Sequence, residues 1–389
     1  MGPADYDLRM GNPRDVILPD VSILVPTMNE AENLPLLAER VHAAMGGRSY
    51  EMILIDDNSR DGTVGVCQEL AKRFPLRLLV REHPCDGLSG AVLHGIAWAQ
   101  GSTLVVMDAD LQHPPESIPL LLAALDGGAD FALGSRYVAG GSTDATWGVL
   151  RRINSTAATL LARPFAPGVT DPMSGFFALR RSTFDNASQL TPLGYKIALE
   201  LMCKCRVRSL KEVPIHFALR ARGQSKLSLK QQFRYLEHLS RLYDFTFPRL
   251  SPVVKFLTAT AVEWLAGAIV FAVLLWRGAN GPASAAAAWG TVIAVTWLFH
   301  LRYVRTQRQF LTQRFPWRDF ALVSAIEWLA CILTAAWLGH RLTHPPPSAI
   351  EALLIPFSAA TIVRYVLRKE LLQDIRGLRR DVPGERLAK

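Results

Sequence analysis

The chain has 389 residues, half of them apolar, with 43 Lys+Arg against 34 Asp+Glu. That length and apolar content exclude one ordinary soluble domain. Residues 1 to 251 hold 27 basic and 26 acidic side chains, whereas 252 to 389 hold 16 and 8; the +8 excess belongs to the more apolar second part, where it reports membrane topology and gives no call for a nucleic-acid partner.

In chain order, the first 20 residues, rich in Gly, Pro and Asp, read as a loosely docked leader without the apolar stretch of a secretory signal or a myristoylation pattern. Apolar strands are then predicted over 21–25, 51–56, 76–80, 103–108 and 131–135, with helices over about 30–45, 63–74, 88–100 and 116–126 between them. Continuous apolar strands alternating with helices predict a parallel sheet covered on both faces, whose ligands bind beyond the strand C-termini. From 140 to 251 the pattern is mixed: a helix through LRRINSTAATLLA, a short strand in GFFAL, a helix around Tyr195 to Cys205 and a strand in EVPIHFAL. The stretch LSLKQQFRYLEHLSRLYDF repeats apolar and aromatic residues at three and four positions with cations between them. It reads either as one or two helices lying in a membrane interface or as a helix docked on the preceding domain.

Apolar runs follow at 252–276, 282–301, 317–339 and 349–367, each near the ~20 residues that a bilayer-spanning helix needs. The connection after the second run carries five Arg and the tail from Arg364 carries eight Lys+Arg, so both are expected in the cytoplasm, together with both termini and the N-terminal domain. Cys67, Cys85, Cys203 and Cys205 would then lie in a reducing compartment and Cys331 in lipid. AVEWLAG at 261–267 recurs as AIEWLAC at 325–331, and LRYVR at 301–305 recurs approximately as VRYVLR at 363–368, which predicts two similar hairpins. Glu263 and Glu327 are costly in lipid unless paired. Arg302 and Arg364 are their expected partners, one ion pair holding each hairpin; the alternative is a role in handling lipid or substrate.

Four polar clusters carry the chemistry. In MDADLQHPPE, Asp108, Asp110 and Gln112 offer hard oxygen ligands where a strand runs out, suited to Mg²⁺ or Mn²⁺ with positions open for phosphate oxygens; the plainer reading is a carboxylate cap on the following helix. In LIDDNSRDGT, Asp57, with Asp56, is placed to accept from a nucleoside, while Asp61 reads as turn chemistry. In VPTMNEAENL, Pro26 shapes a loop and Glu30 is a hydrogen-bonding candidate. The cations are Arg136 in GSRY, Arg151 and Arg152 with Ser155 nearby, and Arg220 and Lys226 in LRARGQSK, a set suited to phosphate oxygens. GxGxxG and P-loop motifs are absent, and His113 reads as a hydrogen-bonding loop residue rather than a base.

In this order, PTMNE, DDNSRDGT, GLSGAVLHG, DADLQHPPE, GSRY, DPMSGFFALR and EVPIHFALRARGQSK resemble the dolichol-phosphate mannose synthases and related polyprenyl-phosphate glycosyltransferases of glycosyltransferase family 2, over about residues 21–235. The last part looks like the GtrA-type membrane domain fused to some of them. The resemblance implies an α/β GT-A (Rossmann-like) catalytic domain at 21–228 after the 1–20 leader. Interfacial helices at 229–250, a four-helix transmembrane domain at 251–370 and a basic cytoplasmic tail at 371–389 would follow. It implies metal-dependent, inverting transfer of mannose from GDP-mannose to a polyprenyl phosphate. The metal ligands would be Asp108, Asp110 and Gln112, and the donor would meet Pro26, Met28, Glu30, Ile55, Asp57, Asp108, Ala109, Asp110, Gln112, Arg136, Arg220 and Lys226. The acceptor phosphate would meet Arg136, Arg151 and Ser155, with Asp110, Arg136, Arg220 and Lys226 central to catalysis. The family usually has Tyr where Met28 stands, which exchanges base stacking for a thioether contact. Transfer from UDP-glucose or another UDP-sugar to undecaprenyl phosphate is the near alternative. A lipid-linked-sugar translocase is the alternative of another class.

Overall fold

The computed structural model describes residues 18–144, 149–191, 193–218, 229–299, 316–341 and 348–378. The chain divides into two units, Met1–Pro248 and Arg249–Lys389. The first is built on strands β1 (Val21–Thr27), β2 (Tyr50–Asp56), β3 (Leu76–Val80), β4 (Thr103–Val106), β5 (Phe131–Ser135), β6 (Ser142–Thr143), β7 (Phe177–Arg180), β8 (Leu210–Pro214) and β9 (His216–Phe217). Its helices are α1 (Leu34–Met45), α2 (Thr63–Leu70), α3 (Gly87–Trp98), α4 (Ile118–Asp126), α5 (Val149–Ala162), α6 (Arg181–Phe184), α7 (Ile197–Lys204) and α8 (Leu229–Thr246). Residues expected at the start of the first helix form a turn instead, with Asn33 N–H donating to the Glu30 carbonyl at 2.9 Å.

Seven strands form one sheet in the order β3-β2-β1-β4-β7-β5-β8, and β6 pairs with β9 apart from it. Six of the seven run parallel, among them all five strands expected to form a parallel sheet; β7, from the GFFAL stretch, is antiparallel to both β4 and β5. The excursion from β5 through β6 and α5 stays at the edge where β5 ends, so the next strand starts at that edge and runs back. This reversal brings residues 171–175, which precede β7, beside the C-terminal ends of β4 and β5.

Alternation along the strands divides the core. Val21, Ile23 and Val25 pack with Leu37, Val41 and Leu121 on one face of the sheet, whereas Leu24, Ile53 and Ile55 pack with Val92 and Ile96 on the other. Gly95 lets α3 lie close on this second face, since a Cβ there would stand 2.8 Å from Ile55 Cδ1. Tyr235, Leu239 and Leu242 of α8 belong to the same core. Of the two readings of this amphipathic stretch, docking on the catalytic domain describes its inner face; Phe233 and Leu236 are exposed on the outside.

A buried charge cluster fixes α8 to α7. The Glu200 carboxylate accepts from Lys204 Nζ at 2.8 Å and from Thr191 N–H at 2.6 Å, with His238 Nε2 3.3 Å away. Burial acts to raise the Glu200 pKa, but the adjoining His238 ring and the Lys204 ammonium outweigh it and hold the pKa at about 2 rather than 4.5. A folded pKa below the unfolded one means a contribution that is complete above pH 4.5 and disappears as pH falls from there towards 2. Glu200→Gln is therefore expected to lower the thermal midpoint of the full chain at neutral pH and to flatten its decline through this acid window. Equal slopes for variant and wild type by circular dichroism would refute that account.

The second unit contains α9 (Ser251–Trp276), α10 (Gly281–Phe299), α11 (Pro316–Arg341) and α12 (Ala349–Leu378). Two stretches among the described residues, Val253–Trp276 and Phe320–His340, are long and apolar enough to cross a membrane, and only 17% and 33% of their spans is buried in the protein. Leu257, Leu265, Ile269 and Trp276 on α9 and Leu322, Leu329, Leu333 and Trp337 on α11 point outward. Inside, Trp289 meets Phe357 edge-on at 4.8 Å, and Gly267 permits a close crossing, since a Cβ there would stand 2.8 Å from Phe357 and from Val292. The ion pair expected within the second hairpin, Glu327 with Arg364, is present, and Glu263 of the first hairpin joins it. Arg364 donates to Glu327 Oε2 through Nε at 2.9 Å and Nη2 at 2.8 Å, and to Glu263 through Nη1. The repeated glutamates thus converge on one arginine, and Arg302 lies outside the described residues.

Candidate active site

The ends of β1 and β2 form one wall. Pro26 stands opposite Ile55 and Thr27 opposite Asp56 in the parallel register, so the predicted nucleotide-side residues are neighbours. Ile55 is fully buried. Asp56 is also fully buried and accepts from Ser59 N–H at 2.9 Å and from the Ser59 hydroxyl, which gives it to the turn rather than to a ligand. Asp61 caps α2, accepting from Thr63 N–H at 3.1 Å and the Thr63 hydroxyl at 2.6 Å, in keeping with its reading as turn chemistry. Asp57 points elsewhere: its Oδ1 lies 3.3 Å from Arg81 Nη1. Burial raises its pKa, partly opposed by Arg81 and reinforced by Asp56. Met28 is exposed at 48%, and Glu30 accepts from Asn33 Nδ2 at 2.7 Å.

The centre of the site is the loop after β4. Asp108 remains 38% exposed at its side chain, while Ala109 and Asp110 are buried. Leu111 adopts φ +63°, and Gln112 N–H returns to Asp110 Oδ1 at 3.2 Å, a tight turn that sets both carboxylates at the strand end. Gln112 joins this loop to the segment after β9, with its Nε2 donating to the Ala218 carbonyl at 3.1 Å and Ala218 N–H donating back to the Gln112 carbonyl at 3.2 Å. His113 supports the loop from beneath: Asp108 N–H donates to His113 Nδ1 at 3.0 Å, and the ring stacks on Phe176 at 5.3 Å. Burial lowers the His113 pKa to about 4, so at neutral pH the ring is uncharged and can accept this bond.

Facing the loop is a fixed cation. Arg136, just beyond β5, donates to Asp171 through Nε and Nη2, both at 2.7 Å, and through its backbone N–H at 3.2 Å. The guanidinium lies 5.2 Å from the ring centres of both Tyr137 and Phe217. Desolvation would lower the Arg136 pKa, but Asp171 more than offsets it, so the cation persists. Asp171 is itself fixed, because its N–H donates to Glu212 Oε1 at 3.0 Å.

The structure thus brings together Pro26, Asp57, Asp108, Asp110 and Gln112 at the strand C-termini, with Arg136 at the end of β5. Ser155 lies on α5, half-buried. The side chains of Arg151 and Arg152, and all of Arg220 and Lys226, lie outside the described residues.

Residues 22–187 match the model of the family described as Glycosyl transferase family 2. A dolichol-phosphate mannosyltransferase of Pyrococcus furiosus is 41% identical over 263 residues, covering 67% of this chain and 72% of that protein. A second protein of that name, from Mycosarcoma maydis, is 40% identical over 274 residues, covering 68% of this chain and 90% of its own length. A polyprenol monophosphomannose synthase of Mycolicibacterium smegmatis is 39% identical over 215 residues, covering 53% and 80%.

The chain belongs to glycosyl transferase family 2.

It is a glycosyltransferase, and its mixed α/β sheet is GT-A-like. Within this glycosyltransferase the structure adds residues to which the sequence assigned no role. Asp171 lies in DPMSG, whose place in the chain gives no sign that it holds Arg136, 35 residues earlier. Arg81 supports Asp57 and also donates to the Cys85 carbonyl. Tyr235 Oη reaches the Ala158 carbonyl at 2.7 Å and Met173 Sδ at 3.4 Å, linking α8 to α5 and to the DPMSG segment. The sequence signal for Tyr235 was only its helical spacing.

Proposed function

We propose that this glycosyltransferase moves mannose from GDP-mannose to the phosphate of a membrane polyprenyl lipid, with inversion at the anomeric carbon. The observation that carries the reading is that the Asp108/Asp110 carboxylates and the Asp171-held Arg136 lie at the C-terminal ends of β4 and β5 in one sheet. Relatives of about 40% identity, two dolichol-phosphate mannosyltransferases and a polyprenol monophosphomannose synthase, support the choice of sugar and lipid class.

Among the described residues no three His, Cys, Asp or Glu side chains gather as a ready-made metal cage. The donor set of two carboxylates and an amide oxygen fits Mg²⁺ or Mn²⁺, which take one or two carboxylates and fill other positions with substrate phosphates and water. Asp108, Asp110 and Gln112 would hold the ion. When bound, it would neutralise charge on the departing diphosphate. Pro26, Met28, Glu30, Asp57 and the backbone of Ile55 and Ala109 would meet the donor, and Arg220 and Lys226 would add cations. Arg136, Arg151 and Ser155 would take the acceptor phosphate.

A phosphate monoester has its second pKa near ~6 and is largely dianionic at neutral pH, so it attacks without a general base. One phosphate oxygen forms the new bond to the anomeric carbon, and the bond to the diphosphate breaks with its electron pair leaving on GDP. His113 is engaged beneath the Asp108 backbone and has no part in proton transfer. The work of the protein is orientation and charge stabilisation.

The second unit is read as a GtrA-like domain of four membrane-spanning helices with both termini and the catalytic domain in the cytoplasm. The outward apolar side chains of α9 and α11 and the Arg-rich connections support this. The helices hold the chain in the membrane that contains its acceptor. The test is to incubate membranes carrying the chain with labelled GDP-mannose, UDP-glucose and a polyprenyl phosphate. Label from GDP-mannose in the lipid phase is expected; label from UDP-glucose alone would replace this donor, and no labelled lipid would overturn the reading.

A further inference from the structure

Lys196, immediately before α7, has no part in the site as read from the sequence. Yet the segment 171–175 carries contacts to the site at three successive places. Asp171 holds Arg136 at 2.7 Å, the Met173 carbonyl accepts from Lys196 Nζ at 2.6 Å, and a Cβ on Gly175 would stand 3.4 Å from His113 and 3.7 Å from the Asp108 carboxylate. One short stretch of chain therefore touches Arg136, Lys196 and the carboxylate loop in turn, and the charges of Arg136, Asp171 and Asp108 all act on the Lys196 ammonium.

Its electrostatics are those of a cation without a counter-ion of its own. Arg136 is matched by Asp171, whereas among the described residues no carboxylate reaches salt-bridge distance of Lys196. The ammonium has three donors, and the described hydrogen bonds use one of them, on Met173. Burial above all, together with the Arg136 charge, lowers its pKa to about 8, with Asp171 and Asp108 acting in the opposite sense. Such a group gains from an anion that occupies its remaining donors. The Met173 side chain and the Ala158 carbonyl share the Tyr235 hydroxyl, so the residue that holds Lys196 is itself tied to α5, the helix that carries Ser155.

We propose that Lys196 binds the phosphate of the lipid acceptor, as a second cation beside Arg136. This rests on the transferase reading above. Arg136 is already neutralised by Asp171, so the pair brings geometry to a dianion but little net charge. Lys196 brings the charge.

Two substitutions separate the charge from the Met173 bond. Lys196→Gln keeps a donor for the Met173 carbonyl and removes the charge; Lys196→Arg keeps the charge. A charge-assisted hydrogen bond of ordinary strength corresponds to about a tenfold change in affinity or more. With purified full-length chain in nanodiscs, Lys196→Gln is expected to raise KM for polyprenyl phosphate about tenfold or more while KM for GDP-mannose changes less than about twofold, and Lys196→Arg is expected to keep most of the acceptor affinity. Thermal midpoints are measured alongside. An unchanged acceptor KM in Lys196→Gln overturns the proposal. So does a parallel rise in donor KM, which would make Lys196 a ligand of the diphosphate, or a loss that tracks a fall in midpoint, which would make it a support for Met173. A wild-type chain that labels no lipid would instead refute the transferase reading itself.

Discussion

Asp110→Ala is expected to lower sugar transfer on the order of a thousandfold while leaving the catalytic unit folded. The size follows from its place: under the proposed function Asp110 is one of two carboxylates available to a divalent ion at the diphosphate, and removal of one preorganised electrostatic contact already costs about 10²- to 10³-fold in turnover. The structural cost is small by comparison. Asp110 Oδ1 accepts one backbone bond, from Gln112 at 3.2 Å, and β4 behind it is held by its ladders to β1 and β7. A single hydrogen bond of this kind is worth about 1 kcal/mol. Asp110→Asn keeps an oxygen for the Gln112 N–H and loses the charge, so it should be nearly as inactive as the alanine variant and closer to wild type in thermal midpoint. Turnover measured across a Mn²⁺ or Mg²⁺ titration decides the matter; wild-type turnover in either variant would remove Asp110 from the site.

Arg136→Lys comes next in expected effect, although the substitution keeps the charge. Arg136 occupies two oxygens of a fully buried Asp171 with two nitrogens at 2.7 Å and lies beside two aromatic rings, a geometry that an ammonium cannot reproduce. Breaking a buried pair from one side costs about 3 to 5 kcal/mol, and the lysine variant should lose a substantial part of that, because one Asp171 oxygen is left without its partner. Turnover should fall about a hundredfold or more, since under the proposed function the cation that meets the acceptor is displaced with the pair. Asp171→Asn should destabilise comparably while leaving Arg136 in place, and its activity should fall together with its thermal midpoint. An Arg136→Lys variant with wild-type midpoint and turnover would show that bidentate geometry is not what the site uses.

Most strand positions in the first unit were legible because they are set locally. Apolar runs of four to seven residues alternate with amphipathic stretches, and the DxD falls at the end of one such run, where a strand must stop and its carboxylates must face the sheet edge. Asp61 was legible for the same reason, since a carboxylate two residues before a helical Thr is turn chemistry. The reversal of β7 was not legible: a four-residue apolar strand reads the same in either direction, and its sense depends on the edge at which α5 leaves the chain. Asp171 stayed hidden with it, because it meets Arg136 only through the segment that precedes the reversed strand. Glu263 and Glu327 were recognised as needing a partner, but the sequence spacing offered one arginine to each, and only three-dimensional packing shows them meeting at Arg364.

The uneven charge and the apolar runs, read from the sequence alone, settled that this is a two-part chain, with a near-neutral strand-and-helix unit followed by a basic, apolar helical one. Residue type and local periodicity are sufficient for that, because each element buries its own apolar face and each loop displays its own charge. Which charges act together was decided only by tertiary structure. Arg136 with Asp171, Glu200 with His238, and Glu263 with Arg364 are pairings in which burial removes water, and the desolvated groups accept whichever partner the fold presents.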